Sequence, residues 1–158
     1  NYVTLARAVT SLENCQLCDT KIQDDTGIKF IRFSNSKREL WTKAQSYLSS
    51  PVKKVLYCDV VPEGNFGISG VNALSHHSHL NPEQYGTMAI WDKQFNQADG
   101  QYNEVEGLYK IEIWKYPVTI PYQPNGGIVD KLSLYLSMED DPDSRIEKEL
   151  EIMIEEMD

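Results

Sequence analysis

Residues 2–33, YVTLARAVTSLENCQLCDTKIQDDTGIKFIRF, determine the fold that the sequence predicts for the start of the chain. Within residues 4–13, apolar side chains recur at helical spacing and leave a polar face opposite them. The apolar positions are Leu5, Ala8, Val9 and Leu12, and the polar positions are Thr4, Arg7 and Ser11. Two short runs of strand-forming residues follow, separated by the turn-forming stretch at 24–27. This order predicts a helix followed directly by a β-hairpin.

Charge is distributed unevenly along the 158 residues, whose formal net charge is −9. Residues 1–57 hold nine Lys and Arg against five Asp and Glu, a net charge of +4. Residues 58–158 hold the remaining six Lys and Arg against 19 Asp and Glu, a net charge of −13. Such asymmetry suggests two surfaces with different partners. We expect the first to be able to meet phosphate and the second to repel it.

Further helices and strands alternate along the rest of the chain. The patterns predict a helix at 37–48 with its cap among residues 34–36, a strand at 52–61, a boundary at 62–65, a helix at 69–80, a strand at 86–92 and a strand at 106–117. In the last strand, Lys110, Glu112 and Trp114 alternate with apolar residues, which indicates half-burial. Residues 130–140 fit a strand by their Leu/Ser alternation and a helix by the cap Asp130, and we favour the helix.

The C-terminal segment predicts an amphipathic helix with Pro142 at or near its first position. Its apolar stripe consists of Ile146, Leu150, Met153, Ile154 and Met157. Its other face carries Glu147, Glu149, Glu151, Glu155 and Glu156. Most acidic faces only keep a protein soluble, but such a face could also bind a basic partner protein.

Three stretches together resemble a known family. YVTLARAVTSLENCQL resembles the recognition helix of winged-helix regulators, in which Thr, Arg-Ala, Leu-Glu and Leu recur at this spacing. RELWTKAQSYLSSPVKK with ISGVNALSH, and IEIWKYP with the segment from residue 129 to 157, are similar to MarR-type bacterial winged-helix regulators that have an extra C-terminal domain. Related proteins are described as antitoxins of type IV (abortive-infection) toxin–antitoxin pairs.

The resemblance implies an α+β fold with two parts. Residues 1–50 would form the C-terminal part of a winged-helix DNA-binding domain, with its earlier helices before Asn1, and residues 51–158 an α/β effector or partner-binding domain. A recognition helix needs a polar outer face to enter the major groove and an apolar inner face to pack on its own domain. The predicted DNA-binding residues are Thr4, Arg7 and Ser11 at base edges and Lys21, Lys29, Arg32 and Lys37 at phosphates. The alternative is an ordinary amphipathic surface helix beside solvated cations.

Two clusters could bind metal. Cys15 and Cys18 form a C-x-x-C, but a structural zinc site needs four ligands and Cys58 stands alone. We therefore interpret both as small strand residues. His76, His77 and His79 lack sufficient partners in sequence, so a polar helix face is the preferred interpretation and a His-centred metalloenzyme the weakest alternative. We expect no metal and no cofactor.

Catalytic and membrane motifs are missing from the sequence. It contains no G-x-S-x-G, no H-E-x-x-H and no phosphate-binding Gly loop, so we expect a non-enzyme with no catalytic residue. No apolar run approaches the roughly 20 residues of a membrane-spanning helix. An odd number of cysteines fits a reducing compartment, and we expect a cytoplasmic transcriptional regulator that binds double-stranded DNA. A toxin-neutralising protein is the alternative.

Overall fold

A computed structural model describes residues 2–61, 63–118 and 127–156. The chain divides into two compact units, one running up to Ser49 and the other from Ser50 to Glu156. Helices and strands occur in both, so the predicted α+β class is confirmed. Among the described residues, no helix is long and apolar enough to cross a lipid bilayer.

The first unit begins with a helix and a hairpin in the predicted order. Helix α1 spans Tyr2–Asn14, and strands β1 (Asp19–Ile22) and β2 (Lys29–Arg32) pair antiparallel. Helix α1 ends because Gln16 adopts a left-handed conformation with φ of 57°, and the Leu17 N–H then donates to the Leu12 carbonyl at 3.0 Å. This tight ending delivers the chain directly into β1.

A capping box starts the second helix, α2, which spans Lys37–Ala44. The Glu39 N–H donates to the Ser36 hydroxyl, and the Ser36 N–H donates to the Glu39 carboxylate at 2.9 Å. These bonds from Ser36 lower the pKa of Glu39. The predicted cap is therefore confirmed. The helix is shorter than predicted, because a 3₁₀ turn at Gln45–Tyr47 replaces its last turn.

The second unit is built on a four-stranded mixed sheet. Its strands are β3 (Val52–Cys58), β4 (Gly67–Ser69), β5 (Thr87–Trp91) and β6 (Tyr109–Trp114), in the spatial order β3-β6-β5-β4. Strand β6 runs antiparallel to β3 and parallel to β5, and β5 runs antiparallel to β4. A 3₁₀ turn at Gln97–Asp99 lies in the loop between β5 and β6.

Strand β6 is buried on both faces, so the predicted half-burial is wrong. Ile111 and Ile113 belong to an apolar cluster on one face of the sheet. Glu112 and Trp114 point to the other face and are only 1% and 0% exposed. Strand β6 lies in the interior of the sheet, where side chains on both faces are buried.

Three helices pack together in the second unit. They are α3 (Gly70–Leu74), α4 (Lys131–Met138) and α5 (Ser144–Glu155). The predicted helix at 69–80 is wrong in length, because it stops after five residues. The Asn72 side chain accepts from the Glu83 N–H at 2.9 Å and donates to the Glu83 carbonyl at 3.2 Å, which ties the returning chain against the helix.

The last two helices follow the sequence patterns closely. Asp130 caps α4 by accepting from the Ser133 N–H at 2.9 Å, so the favoured helix is confirmed. Asp143 caps α5, which places Pro142 just before the cap rather than in the first helical position. The predicted apolar stripe is buried at Ile146, Leu150, Met153 and Ile154. Met157 lies outside the described residues.

Candidate nucleic-acid interface

Helix α1 presents a continuous polar face. With 3.6 residues per turn, Thr4, Arg7 and Ser11 fall on one side and Val9 on the other. The three polar residues are exposed, whereas Val9 is only 8% exposed. Of the predicted apolar face, Val9 is buried and Leu12 is partly buried, whereas Leu5 and Ala8 are exposed. The structure brings the three candidate base-contacting residues together on one surface.

The hairpin distributes its cations over two faces. Lys21 pairs with Phe30, and Arg32 pairs with Asp19, which places all four on one face. Ile22 pairs with Lys29 on the opposite face. The structure thus brings Lys21 and Arg32 together and separates Lys29 from them.

Glu13, which the sequence analysis did not single out, joins α1 to the hairpin. Its carboxylate accepts a hydrogen bond from the Thr20 hydroxyl on β1. Its second oxygen lies 3.9 Å from the Lys29 Nζ on β2. The Thr20 and Lys29 face is therefore turned towards the end of α1, and the face with Lys21 and Arg32 points away from it. Residue alternation in the strands could have suggested this pairing once the hairpin register was known.

Acidic residues occupy the tip of the hairpin. Gly27, with φ of 66°, completes the turn that the Asp/Gly cluster predicted. Asp24 and Asp25 are exposed there and would repel phosphates. A nucleic-acid contact by this hairpin would therefore involve its strands, where Lys21 and Arg32 lie, rather than its tip.

Lys37, the last candidate phosphate contact, is the first residue of α2 and is exposed. The beginning of a helix favours anions, because its free N–H groups carry partial positive charge. Glu39 already occupies part of that position through the capping box. Lys37 thus lies on a different element from the polar face of α1 and from the Lys21 and Arg32 face.

Apolar surface remains uncovered in the first unit. In the described part of this unit, the buried apolar side chains are Val9, Cys18 and Trp41. Within residues 2–33, six apolar residues larger than Val are 43–64% exposed, namely Leu5, Ile22, Ile28, Phe30, Ile31 and Phe33. In the hairpin they are divided between the two faces, with Phe30 on one and Ile22 and Ile31 on the other.

The cysteines and histidines form no metal centre in the described ranges. No three His, Cys, Asp or Glu side chains there are arranged to hold a metal ion. Cys15 and Cys18 lie in the turn between α1 and β1, so their interpretation as strand residues is wrong. Burial, followed by the nearby Lys131, lowers the pKa of His77.

The acidic face of the last helix lies on the surface. Glu147, Glu151, Glu155 and Glu156 are exposed, as the pattern predicted. Glu149 is partly buried, and its Oε2 has no hydrogen-bond partner among the described residues. A toxin or other protein partner for this face stays a prediction.

Comparison with protein families, curated proteins and solved structures gives no match to this chain. The molecule is thus defined by its own geometry: an α+β protein with a helix–hairpin unit and a mixed-sheet unit.

Proposed function

We propose that this chain is a DNA-binding transcriptional regulator of the winged-helix class, in which α1 enters the major groove and the β1–β2 hairpin contacts the backbone. The observation that carries the proposal is the exposed polar face of Thr4, Arg7 and Ser11 on a helix that runs directly into a hairpin. The sequence resemblance to MarR-type regulators supports the same assignment.

The dimensions and chemistry of α1 suit groove recognition. Its 13 residues extend about 20 Å, and the major groove of B-DNA is about 12 Å wide. Arg7 is the long donor at the centre of the polar face, and a guanidinium can donate to both acceptors of a guanine. Thr4 and Ser11 carry hydroxyls that can donate to or accept from any base edge.

The hairpin would contribute positioning rather than sequence recognition. Lys21 and Arg32 share the face that points away from the end of α1, where they are available to phosphates. Lys29 is partly neutralised by Glu13 and faces the other way. Among the predicted cations, Lys29 should therefore contribute least to DNA binding.

The negative charge of the second part of the chain would restrict DNA contact to the first part. Residues 58–158 carry a net charge of −13, which repels the phosphate backbone. A DNA complex would therefore depend on the positively charged first part of the chain. This asymmetry also predicts binding that weakens steeply with salt, because phosphate contacts release counterions.

Fluorescence anisotropy tests the proposal directly. The full-length protein, with the winged-helix segment that the resemblance places before Asn1, is titrated with the labelled DNA segment upstream of its own gene at several salt concentrations, with unrelated DNA as competitor. We expect specific binding that Arg7→Ala weakens by roughly 5- to 100-fold, the range for one lost base contact. The matched control is Lys148→Ala, which removes an exposed cation from α5. Equal losses in the two variants, or no binding at low salt, would contradict the proposal.

A further inference from the structure

One face of the β1–β2 hairpin combines an aromatic ring with two cations. Phe30 pairs directly with Lys21 across the two strands, and Arg32 lies two positions further along β2 on the same face. Directly opposite side chains have Cβ atoms about 5 Å apart, and positions i and i+2 of one strand are about 7 Å apart. The Phe30 ring therefore has a cation beside it in two directions. We call these three residues the Phe30 face.

The Phe30 ring is exposed rather than packed. Phe30 is 52% exposed, and so is Ile28, which directly precedes β2. The Gln23 N–H donates to the Ile28 carbonyl at 2.9 Å, which extends the strand pairing and places Ile28 on the same side as Phe30. Glu13 of α1 contacts Lys29, which lies on the opposite side of the hairpin. The ring is therefore open to solvent on the side away from the end of α1.

Both cations of the Phe30 face are available to phosphate. Lys21 and Arg32 are exposed, and neither forms an ion pair within the described part of the chain. Asp19 lies opposite Arg32, and its carboxylate accepts a hydrogen bond from the Ser34 hydroxyl at 3.3 Å. One carboxylate against two cations leaves this side of the paired strands with a net positive charge. Phosphates would therefore be attracted to the surroundings of the ring.

An exposed aromatic ring between cations matches the chemistry of a nucleic-acid strand with unpaired bases. Proteins that bind such strands provide aromatic side chains on which bases stack and cations that follow the phosphates. A ligand that is only anionic would contact Lys21 and Arg32 but would leave the Phe30 ring in water. An unpaired nucleotide would use the ring and the cations together.

Paired DNA fits the Phe30 face less well than an unpaired strand. In a duplex the bases stack on one another, and a side chain enters between them only by unstacking a step. Phe30 lies within β2 rather than at the hairpin tip, so it is poorly placed to act as such a wedge. The tip carries Asp24 and Asp25, which would repel the second backbone of a duplex. A flexible single strand has one backbone and can avoid the tip.

We propose that the Phe30 face binds single-stranded nucleic acid. An unpaired base would stack on the Phe30 ring, the adjoining phosphates would lie at Lys21 and Arg32, and Ile28 would contact the neighbouring base. Single-stranded DNA and single-stranded RNA share this chemistry. The site uses two cations that the proposed duplex contact also uses, but it does not involve α1.

Fluorescence anisotropy of the full-length protein with labelled oligonucleotides at low salt tests this proposal. The probes are oligo(dT) and oligo(rU) of about 12 nucleotides, within the range of known single-strand sites, and an abasic chain of equal length that keeps the phosphates without bases. We expect at least one of the two oligonucleotides to bind roughly tenfold more tightly than the abasic chain, and the two arms show whether DNA or RNA is preferred. Equal binding of all three probes, or no binding of either oligonucleotide, would overturn the proposal. Tighter binding of a duplex of equal length and arbitrary sequence would also overturn it.

Variants test the role of the ring itself. Phe30→Leu keeps an apolar side chain without the aromatic ring and should weaken single-strand binding by roughly fivefold or more, the lower end for one lost base stack, without changing the binding of the abasic chain. Phe30→Tyr should restore binding, because it restores a ring. The matched control is Phe33→Leu, since Phe33 is 55% exposed and strand alternation places it on the opposite side of the hairpin.

The outcomes separate this proposal from the duplex contact. Arg7→Ala should leave single-strand binding unchanged even where it weakens duplex binding, because Arg7 belongs to α1. Circular dichroism confirms that each variant is folded. Equal losses in Phe30→Leu and Phe33→Leu, or no loss in Phe30→Leu, would refute the assignment of Phe30, whatever the outcome of the duplex titrations.

Discussion

The Lys110–Glu112 pair should be strongly coupled in stability, although one partner reaches solvent. The charged atoms lie 3.1 Å apart, and two unit charges at that distance attract by roughly 5 kcal/mol at an effective dielectric constant of about 20. Solvent screening of the 42% exposed Lys110 side chain reduces this value. We expect a coupling free energy of about 2 kcal/mol, within the range of roughly 0.5–3 kcal/mol for residues in direct contact.

A double-mutant cycle measures this coupling. The free energies of unfolding of the native chain, Lys110→Met, Glu112→Gln and the double variant are obtained from urea denaturation. Lys110→Met alone should cost more than the double variant, because it leaves the Glu112 carboxylate buried without its cation.

An exposed ion pair on the same sheet gives the control. The Lys53 Nζ lies 2.7 Å from the Asp92 carboxylate, but both side chains are about half exposed. Their cycle, Lys53→Met with Asp92→Asn, should give less than about 1 kcal/mol. If the two cycles gave equal coupling energies, the reasoning from burial would be refuted.

Three further predictions concern the first unit and α5. Ser36→Ala should lower the free energy of unfolding by about 1 kcal/mol, measured by urea denaturation, because the capping box loses its hydroxyl; no change would contradict that role. Arg145 lowers the pKa of Asp143 to about 2, so the contribution of this cap to stability should be present above pH 4 and lost as the pH falls towards 2; native chain and Asp143→Asn should then converge in thermal melts at low pH. Lys21→Ala should reduce the salt dependence of DNA binding by about one counterion, whereas Lys29→Ala should change it less; the reverse order would contradict the assigned hairpin faces.

Local sequence patterns predicted the elements that are determined by residues close together in the chain. The alternation of Leu5, Val9 and Leu12 with polar residues predicted α1, and the capping residues Asp130 and Ser36 predicted the starts of α4 and α2. In each case the decisive interaction spans only a few residues of the chain. Such interactions can be recognised in the sequence without knowledge of the fold.

Properties that depend on residues far apart in the chain could not be predicted from local sequence patterns. Glu112 looked like a solvent-facing residue of β6, but Ser69, 43 positions earlier, supplies a partner that makes its burial possible. Lys29 looked equivalent to Lys21 until the hairpin register placed them on opposite faces. A cavity in the second unit combines residues of the sheet and of the α4–α5 connection, and no local pattern indicates that they meet.

Hydrogen–deuterium exchange of the full-length protein, with and without the DNA upstream of its gene, tests whether α1 and the hairpin contact DNA. We expect slower amide exchange within residues 2–14 and 19–32 when DNA is bound. We expect no change at residues 144–155, which form the acidic helix α5. DNA-dependent protection confined to the second unit, with none in α1 or the hairpin, would contradict it.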